Sequence, residues 1–279
     1  MMLIDLIKSF VIGLVEGITE WLPISSSTHI ELAADLMKTN YSPSFFAFFE
    51  VGIQLGAILA VILLYWGRLW PWASREQHVR RRTWSLWPKI LIAALPAAVI
   101  GVLIDDWREE HLGSIYIRAA ALIVYGILFI VIERLHVKRR PLKEIREAED
   151  IPNATAFKIG LFQLLSLIPG TSRSGSTILG GMRVGVSRKA AAEFSFFVAI
   201  PVMFGASSLK ALKFALKGEL FFTGGEIAIL AVALVTAFAV SMLVVRALIG
   251  FLRTHSFEGF GWYRIVLGIV VILYYTLLK

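Results

Sequence analysis

The sequence predicts an all-α polytopic membrane protein built from two inverted-topology repeats, each one re-entrant helical hairpin plus three transmembrane helices. Three observations carry this expectation. Hydrophobic residues make up 57% of the 279 and charged residues 17%, well outside the balance of a soluble domain. Six apolar stretches approach or exceed the roughly 20 residues a helix needs to cross about 30 Å of hydrocarbon, and they lack the period-two alternation of barrel strands. Two further apolar segments are each broken near the middle by proline and a polar run.

In chain order, the first broken segment runs from Leu3 to Met37, interrupted at Pro23 and the Ser/Thr run after it. Spans follow at Ser44 to Trp66, Trp87 to Ile104 and Ile115 to Glu133. The second broken segment runs from Ala156 to Met182, interrupted at Pro169-Gly170, and is followed by spans at Ala191 to Leu209, Glu226 to Leu252 and Trp262 to Leu278. Broken backbone at membrane depth is tolerated only where protein or a water-filled cavity satisfies it, so both segments read as re-entrant hairpins. Met1 to Pro23 carries Asp5 and Lys8 inside its apolar run and no small-residue cleavage site, so it is expected to stay in the mature protein. With no cysteine, disulfides, thiolate nucleophiles and cysteine metal sites are excluded.

The net charge of +8 is concentrated in two connections, which fits the positive-inside rule better than nucleic-acid binding. Gly67 to Pro88 holds Arg68, Arg75, Arg80, Arg81 and Arg82; Arg134 to Lys158 holds Arg134, Lys138, Arg139, Arg140, Lys143 and Arg146. Both are expected in the cytoplasm, with Asp105, Asp106, Glu109 and Glu110 turning on the outer side and both termini periplasmic. The first hairpin then enters from the periplasm and the second from the cytoplasm. Sliding the sequence by 146 to 149 positions lays Pro23 on Pro169, Phe46-Ala-Phe-Phe49 on Phe194-Ser-Phe-Phe197 and Gly101 on Gly250. A repeat with an odd number of crossings inverts its successor, and the functional site of such folds is expected near the midplane where the broken helices meet. The chain thus reads as one integral membrane domain over 1–279, repeat one about 1–140 and repeat two about 150–279.

The first constellation is Glu16-Gly-Ile-Thr-Glu20-Trp-Leu-Pro23-Ile-Ser25-Ser26-Ser27-Thr28-His29. Glu16 and Glu20 are four apart and share a helix face in apolar surroundings, where a charge is a functional-site hypothesis by default. Such a pair suits a hard divalent cation, Mg²⁺ or Ca²⁺; without one, the two carboxylates would tend to share a proton. Ser25, Ser26, Ser27 and Thr28 supply hydroxyls and, at a half-helix start, amides that bind phosphate. His29 can move a proton or attack phosphorus. A competing structural role is a capping box formed by Thr28 and Glu31.

The second constellation is Pro169-Gly170-Thr171-Ser172-Arg173-Ser174-Gly175-Ser176-Thr177, which looks like an anion cradle. Gly170 permits close backbone approach, Thr171, Ser172 and Ser174 donate hydrogen bonds, and Arg173 presents a planar fork to phosphate oxygens; the ordinary alternative for Arg173 is snorkelling. Glu50 and Gln54, one turn apart in an apolar span, read as a supporting shell or as a buried interhelical bond. Glu193 is expected to be solvated near a helix end, His255 and Arg264 to serve the cytoplasmic interface, and His78, His111 and His136 to lie in loops without a role. Trp66, Trp70, Trp87 and Trp262 read as interface belts.

The strings EGITEWLPISSSTH and PGTSRSGSTILGG, with FFEVGIQLGAILAV between them and YRIVLG near the end, resemble the undecaprenyl-diphosphate phosphatase family, also called the bacitracin-resistance protein family. The resemblance covers nearly the whole chain. It implies a multi-pass protein of the bacterial inner membrane that converts undecaprenyl diphosphate to undecaprenyl phosphate, recycling the lipid carrier of envelope polymers. It also implies Glu16 and Glu20 as the acidic pair, Ser26 as the essential serine, His29 as the histidine and Arg173 as the diphosphate-binding arginine, with Thr171, Ser172 and Ser174 lining the pocket. Where the family commonly reads Ser-Ser-Thr-Gly-His, this chain reads Ser25-Ser26-Ser27-Thr28-His29, which restricts the backbone before the histidine. The nucleophile stays open between Ser26, His29 and water. The expected partners are a polyprenyl diphosphate and membrane lipids, with no nucleic acid; the oligomeric state is open, a homodimer among the options. A different class of reading, an inverted-repeat transporter or flippase for prenyl phosphate lipids, shares the architecture and predicts binding without turnover.

Overall fold

The computed structural model describes residues 2–139, 144–217, 222–252 and 254–279, and among these it is helical apart from one isolated bridge between Ile145 and Val186. The helices are α1 Met2–Thr19, α2 Ser26–Leu36, α3 Pro43–Leu64, α4 Trp66–Leu69, α5 Gln77–Leu112, α6 Ile115–Arg139, α7 Asn153–Gln163, α8 Arg173–Arg183, α9 Arg188–Lys217, α10 Gly224–Phe251 and α11 Glu258–Leu277. Arg140 and Lys143 of the second basic connection, and the side chains of Glu109 and Arg139, lie outside the described residues.

Six helices, α3, α5, α6, α9, α10 and α11, are long and apolar enough to cross a membrane, the same six expected from the sequence. The protein is a multi-pass membrane protein. Helix α5 departs most from expectation: it begins ten residues before Trp87 and runs for 36 residues through Pro88 and Pro96. At 1.5 Å per residue it is about 54 Å long, so its arginine-rich first turns project beyond about 30 Å of hydrocarbon. Hydropathy marks only its apolar part. His78 and His111 lie on this helix and His136 on α6, not in loops.

Each broken segment folds as two helices packed on one another, α1 with α2 and α7 with α8. Around them α10 packs on α1 and α3, α5 on α7 and α9, α11 on α6, and α3 on α9. Helix α9 is the central element, with 72% of its apolar window buried, whereas α5, α10 and α11 bury 22% and turn Leu, Ile and Val outward. Those outward faces suit lipid, where apolar exposure costs nothing. The α6–α11 crossing is made by Gly126 and Gly261: a Cβ on Gly261 would sit 2.7 Å from the Gly126 carbonyl oxygen, so only glycine allows backbones this close.

Arg68 on α4 forks onto Glu149 at 2.7 and 2.8 Å and onto Glu193 at 2.9 Å. Burial alone would raise the Glu149 carboxyl, but the bonds from Arg68 outweigh it and hold Glu149 below the usual carboxylate range. Glu193 is buried in this cluster rather than solvated as the sequence suggested, because Arg68 reaches it across 125 residues.

Candidate functional site

Helix α1 stops at Thr19, the chain turns through residues 20–25, and α2 restarts at Ser26. Helix α7 stops at Gln163, a 3₁₀ turn covers Leu164–Leu167, and α8 restarts at Arg173. Pro23 and Pro169 supply the interruptions, having no N–H with which to continue a helix. Each restart is preceded by a serine in left-handed backbone, Ser25 at φ 72° and Ser172 at φ 75°, with Gly170 at φ 89°. For a non-glycine residue this costs on the order of 1–2 kcal/mol and persists only where the surroundings impose it.

What imposes it is visible in the packing. Arg264 on α11 is fully buried, donating from Nη1 to the Pro23 carbonyl at 2.8 Å and from Nη2 to the Gly170 and Thr171 carbonyls at 2.9 Å each. One guanidinium thus staples the two tips together. Ser174 Oγ adds bonds of 3.2 Å to the carbonyls of Glu20 and Leu22. Arg264 was expected at an interface; the structure places it in the centre, among carbonyls and within 6.0 Å of the Tyr125 and Phe129 ring centroids. Arg264→Leu would leave three buried carbonyls without this donor, at about 1–3 kcal/mol for an unmet group. We expect its detergent-purified form to melt at least about 5 °C below wild type by tryptophan fluorescence; an unchanged midpoint would show that the tips hold without it.

The stapled tips bring together the main predicted residues. Ser26 Oγ donates to Glu20 Oε2 at 2.6 Å, while Arg173 Nη2 donates to Glu20 Oε1 at 2.9 Å and Nη1 to the Ser195 carbonyl at 2.9 Å. Glu20 and Ser26 are buried and Arg173 nearly so. A carboxylate on a hydroxyl can act as a base on a nucleophile, and a guanidinium beside it can meet developing negative charge. Arg173 Nε and Thr171 Oγ1 are buried with no protein partner, as are both carboxylate oxygens of Glu16. Glu16 and Arg173 are within electrostatic reach of one another, and unpaired buried polar atoms on both point to a polar ligand.

His29 stands apart from the Ser26–Glu20 bond. Its Nδ1 lies 2.7 Å from the Ser25 carbonyl oxygen and its Nε2 2.8 Å from Tyr263 Oη. Ser25 Oγ contacts Thr28 Oγ1 at 3.1 Å and Ser27 Oγ at 3.5 Å, and Ser172 Oγ accepts from the Gly175 amide at 3.1 Å, capping α8. No capping box forms at α2; Glu31 pairs with Arg118 at 2.7 Å instead. Glu50 lies within electrostatic reach of Glu16, whereas half-buried Gln54 makes no side-chain bond to the site among the described residues. The sequence reading missed Arg264, Tyr263 and the Ser195 carbonyl as parts of this site.

A divalent cation fits part of this set. Glu16 offers a buried, unpartnered carboxylate, whereas both oxygens of Glu20 are already engaged, and the described residues contain no cluster of three or more acidic or histidine ligands. A cation held by one carboxylate and completed by ligand oxygens is a common arrangement for Mg²⁺. A cleft of about 320 Å³ lined by Arg68, His78, Arg82 and Glu149 does not touch the tips.

Comparison with known proteins matches residues 9–270 to the family described as "Bacitracin resistance protein BacA". The chain is 48% identical over 270 residues to an undecaprenyl-diphosphatase of Lactobacillus delbrueckii subsp. bulgaricus, covering 96% of this chain and 97% of the relative. It is 49% identical over 284 residues to that of Streptococcus mutans serotype c, covering 100% and 99%, and 49% identical over 278 residues to that of Desulfitobacterium hafniense, covering 99% and 98%.

Proposed function

The chain belongs to the bacitracin resistance protein BacA family, and on that premise we infer that it is an undecaprenyl-diphosphatase, hydrolysing undecaprenyl diphosphate to undecaprenyl phosphate and inorganic phosphate. The observation that carries the mechanism is Glu20 held between Ser26 and Arg173 at 2.6 and 2.9 Å.

At rest the guanidinium neutralises Glu20. An arriving diphosphate takes over the fork, and Arg173 Nε, Thr171 Oγ1 and the first amides of α8 add donors to the terminal phosphate. Released from Arg173, Glu20 accepts the Ser26 proton as Oγ attacks the terminal phosphorus. The Oγ–P bond forms, the bond from phosphorus to the bridging oxygen breaks, and undecaprenyl phosphate leaves with that oxygen. Water then attacks the phosphoserine phosphorus, giving a proton to a tip base; the P–Oγ bond breaks, Ser26 Oγ takes back the proton that Glu20 holds, and phosphate departs. Glu16 would hold a Mg²⁺ or Ca²⁺ ion, which supplies charge neutralisation to the phosphate oxygens when bound. The prenyl tail stays in lipid.

The arrangement of repeats supports a site at the midplane. Four of the main helix packings agree with exchange of the halves: α1 on α10 mirrors α7 on α5, α3 on α10 mirrors α9 on α5, and α6 on α11 and α3 on α9 map onto themselves, whereas among the described residues α8 on α9 has no counterpart of similar extent between α2 and α3. Ser25 and Ser172, the strained positions at the two tips, are related by the same shift. With the charge distribution this reading places the acidic tip toward the periplasm of an inner-membrane protein. The test is phosphate release from a long-chain prenyl diphosphate by detergent-purified protein, with and without chelator. Release of one phosphate per lipid is expected, slowed by chelation; lipid binding without release would replace the enzyme reading with a carrier.

A further inference from the structure

We propose that Tyr263 is a positioning residue that fixes the tautomer and aim of His29; its consequence for turnover rests on the phosphatase reading above, but the contact itself does not. A carbonyl oxygen can only accept, so the 2.7 Å contact with Ser25 assigns the proton to His29 Nδ1. In the neutral ring Nε2 then carries the lone pair, and the Tyr263 hydroxyl 2.8 Å away donates to it. The two rings lie 6° from parallel with centroids 5.7 Å apart, which restricts rotation of the imidazole. Both ring nitrogens are therefore committed, one to the strained tip backbone and the other to α11.

The backbone that carries Tyr263 is fixed by its neighbours, although the side chain itself is partly exposed. Tyr263 directly precedes Arg264, whose guanidinium holds Pro23, Gly170 and Thr171, and the Gly126–Gly261 crossing holds the same turn of α11 against α6. The Tyr263 backbone cannot shift without moving the staple. Two adjacent residues of one helix thus set the site from opposite ends, Arg264 through the tip carbonyls and Tyr263 through the histidine. With its lone pair capped, His29 is kept off the Ser26–Glu20 pair, and a proton received at Nε2 turns Tyr263 from donor to acceptor without moving the ring.

The test uses Tyr263→Phe, which keeps the ring and deletes one hydroxyl on a side chain 45% exposed. Nitrogen-15 spectra of histidine-labelled protein, with the His29 signals assigned by their loss in His29→Gln, are expected to show the Nδ1–H form in wild type and a tautomer mixture in Tyr263→Phe. Turnover is expected to fall on the order of tenfold with KM unchanged, the usual scale for a group that orients another. In the His29→Gln background, Tyr263→Phe should cost nothing more. An unchanged His29 signature, or losses that multiply in the double variant, would overturn the proposal. If Tyr263→Phe does not purify folded, Tyr263→Met is read in the same two assays. Failure of wild type to release phosphate would sink the enzymatic reading while leaving the spectroscopic test intact.

Discussion

Arg173→Ala is expected to lower phosphate release by about a thousandfold or more, the scale at which an arginine contributes to phosphoryl transfer. Three donors are lost together: the Nη2 that now rests on Glu20, the Nη1 on the Ser195 carbonyl and the buried, unpartnered Nε. Arg173→Lys keeps a charge but not the planar fork, so it should recover only part of the loss. The measurement is initial rate against lipid concentration for folded, purified variants. Because the same cation also binds the ground-state diphosphate, KM should rise as kcat falls. Turnover within a few-fold of wild type in Arg173→Ala would remove the guanidinium from the reaction.

Glu20→Gln is expected to act differently. The amide oxygen can still accept from Ser26, so the tip geometry survives, but a neutral amide cannot take the proton. Loss of a general base is worth about 10²–10⁴-fold in rate. The substitution also removes the resident anion from Arg173, so the incoming diphosphate meets less competition and KM should fall or hold steady. The paired signature, kcat down with KM not raised, distinguishes loss of a base from loss of a binding group. A raised KM with unchanged kcat would show that Glu20 serves binding alone.

The six spans were legible because each is an apolar run of the length that lipid demands, and the two breaks because proline with a polar run cannot lie unassisted in hydrocarbon. The start of α5 was not legible: its first turns, Gln77-His-Val-Arg-Arg-Arg, carry no apolar signal. Within the site, Glu20, Arg173 and the Ser25–Thr28 hydroxyls were found by asking why polar groups sit at the breaks, and the family resemblance singled out Ser26 among the hydroxyls. Arg264 and Glu193 were misplaced because each lies near the end of an apolar stretch, where solvation is the ordinary outcome, and their partners are distant in sequence. The rule that flagged Glu16, that an ionisable group inside an apolar helix has a reason to be there, applied equally to Arg264 within Glu258–Leu277. Tyr263 had no such signal, since a tyrosine near a span end is usually an interface anchor.

The contact between Glu20 and Arg173 bears on how the cycle closes. A cation buried without company would grip inorganic phosphate and release it slowly. Here a built-in rival, tethered to the same fold and so present at high effective concentration, stands ready to reclaim the guanidinium as the spent anion loosens. If Arg173 binds the phosphate as proposed, this competition trades the small anionic product away rather than retaining it, so inhibition by accumulated phosphate should be weak.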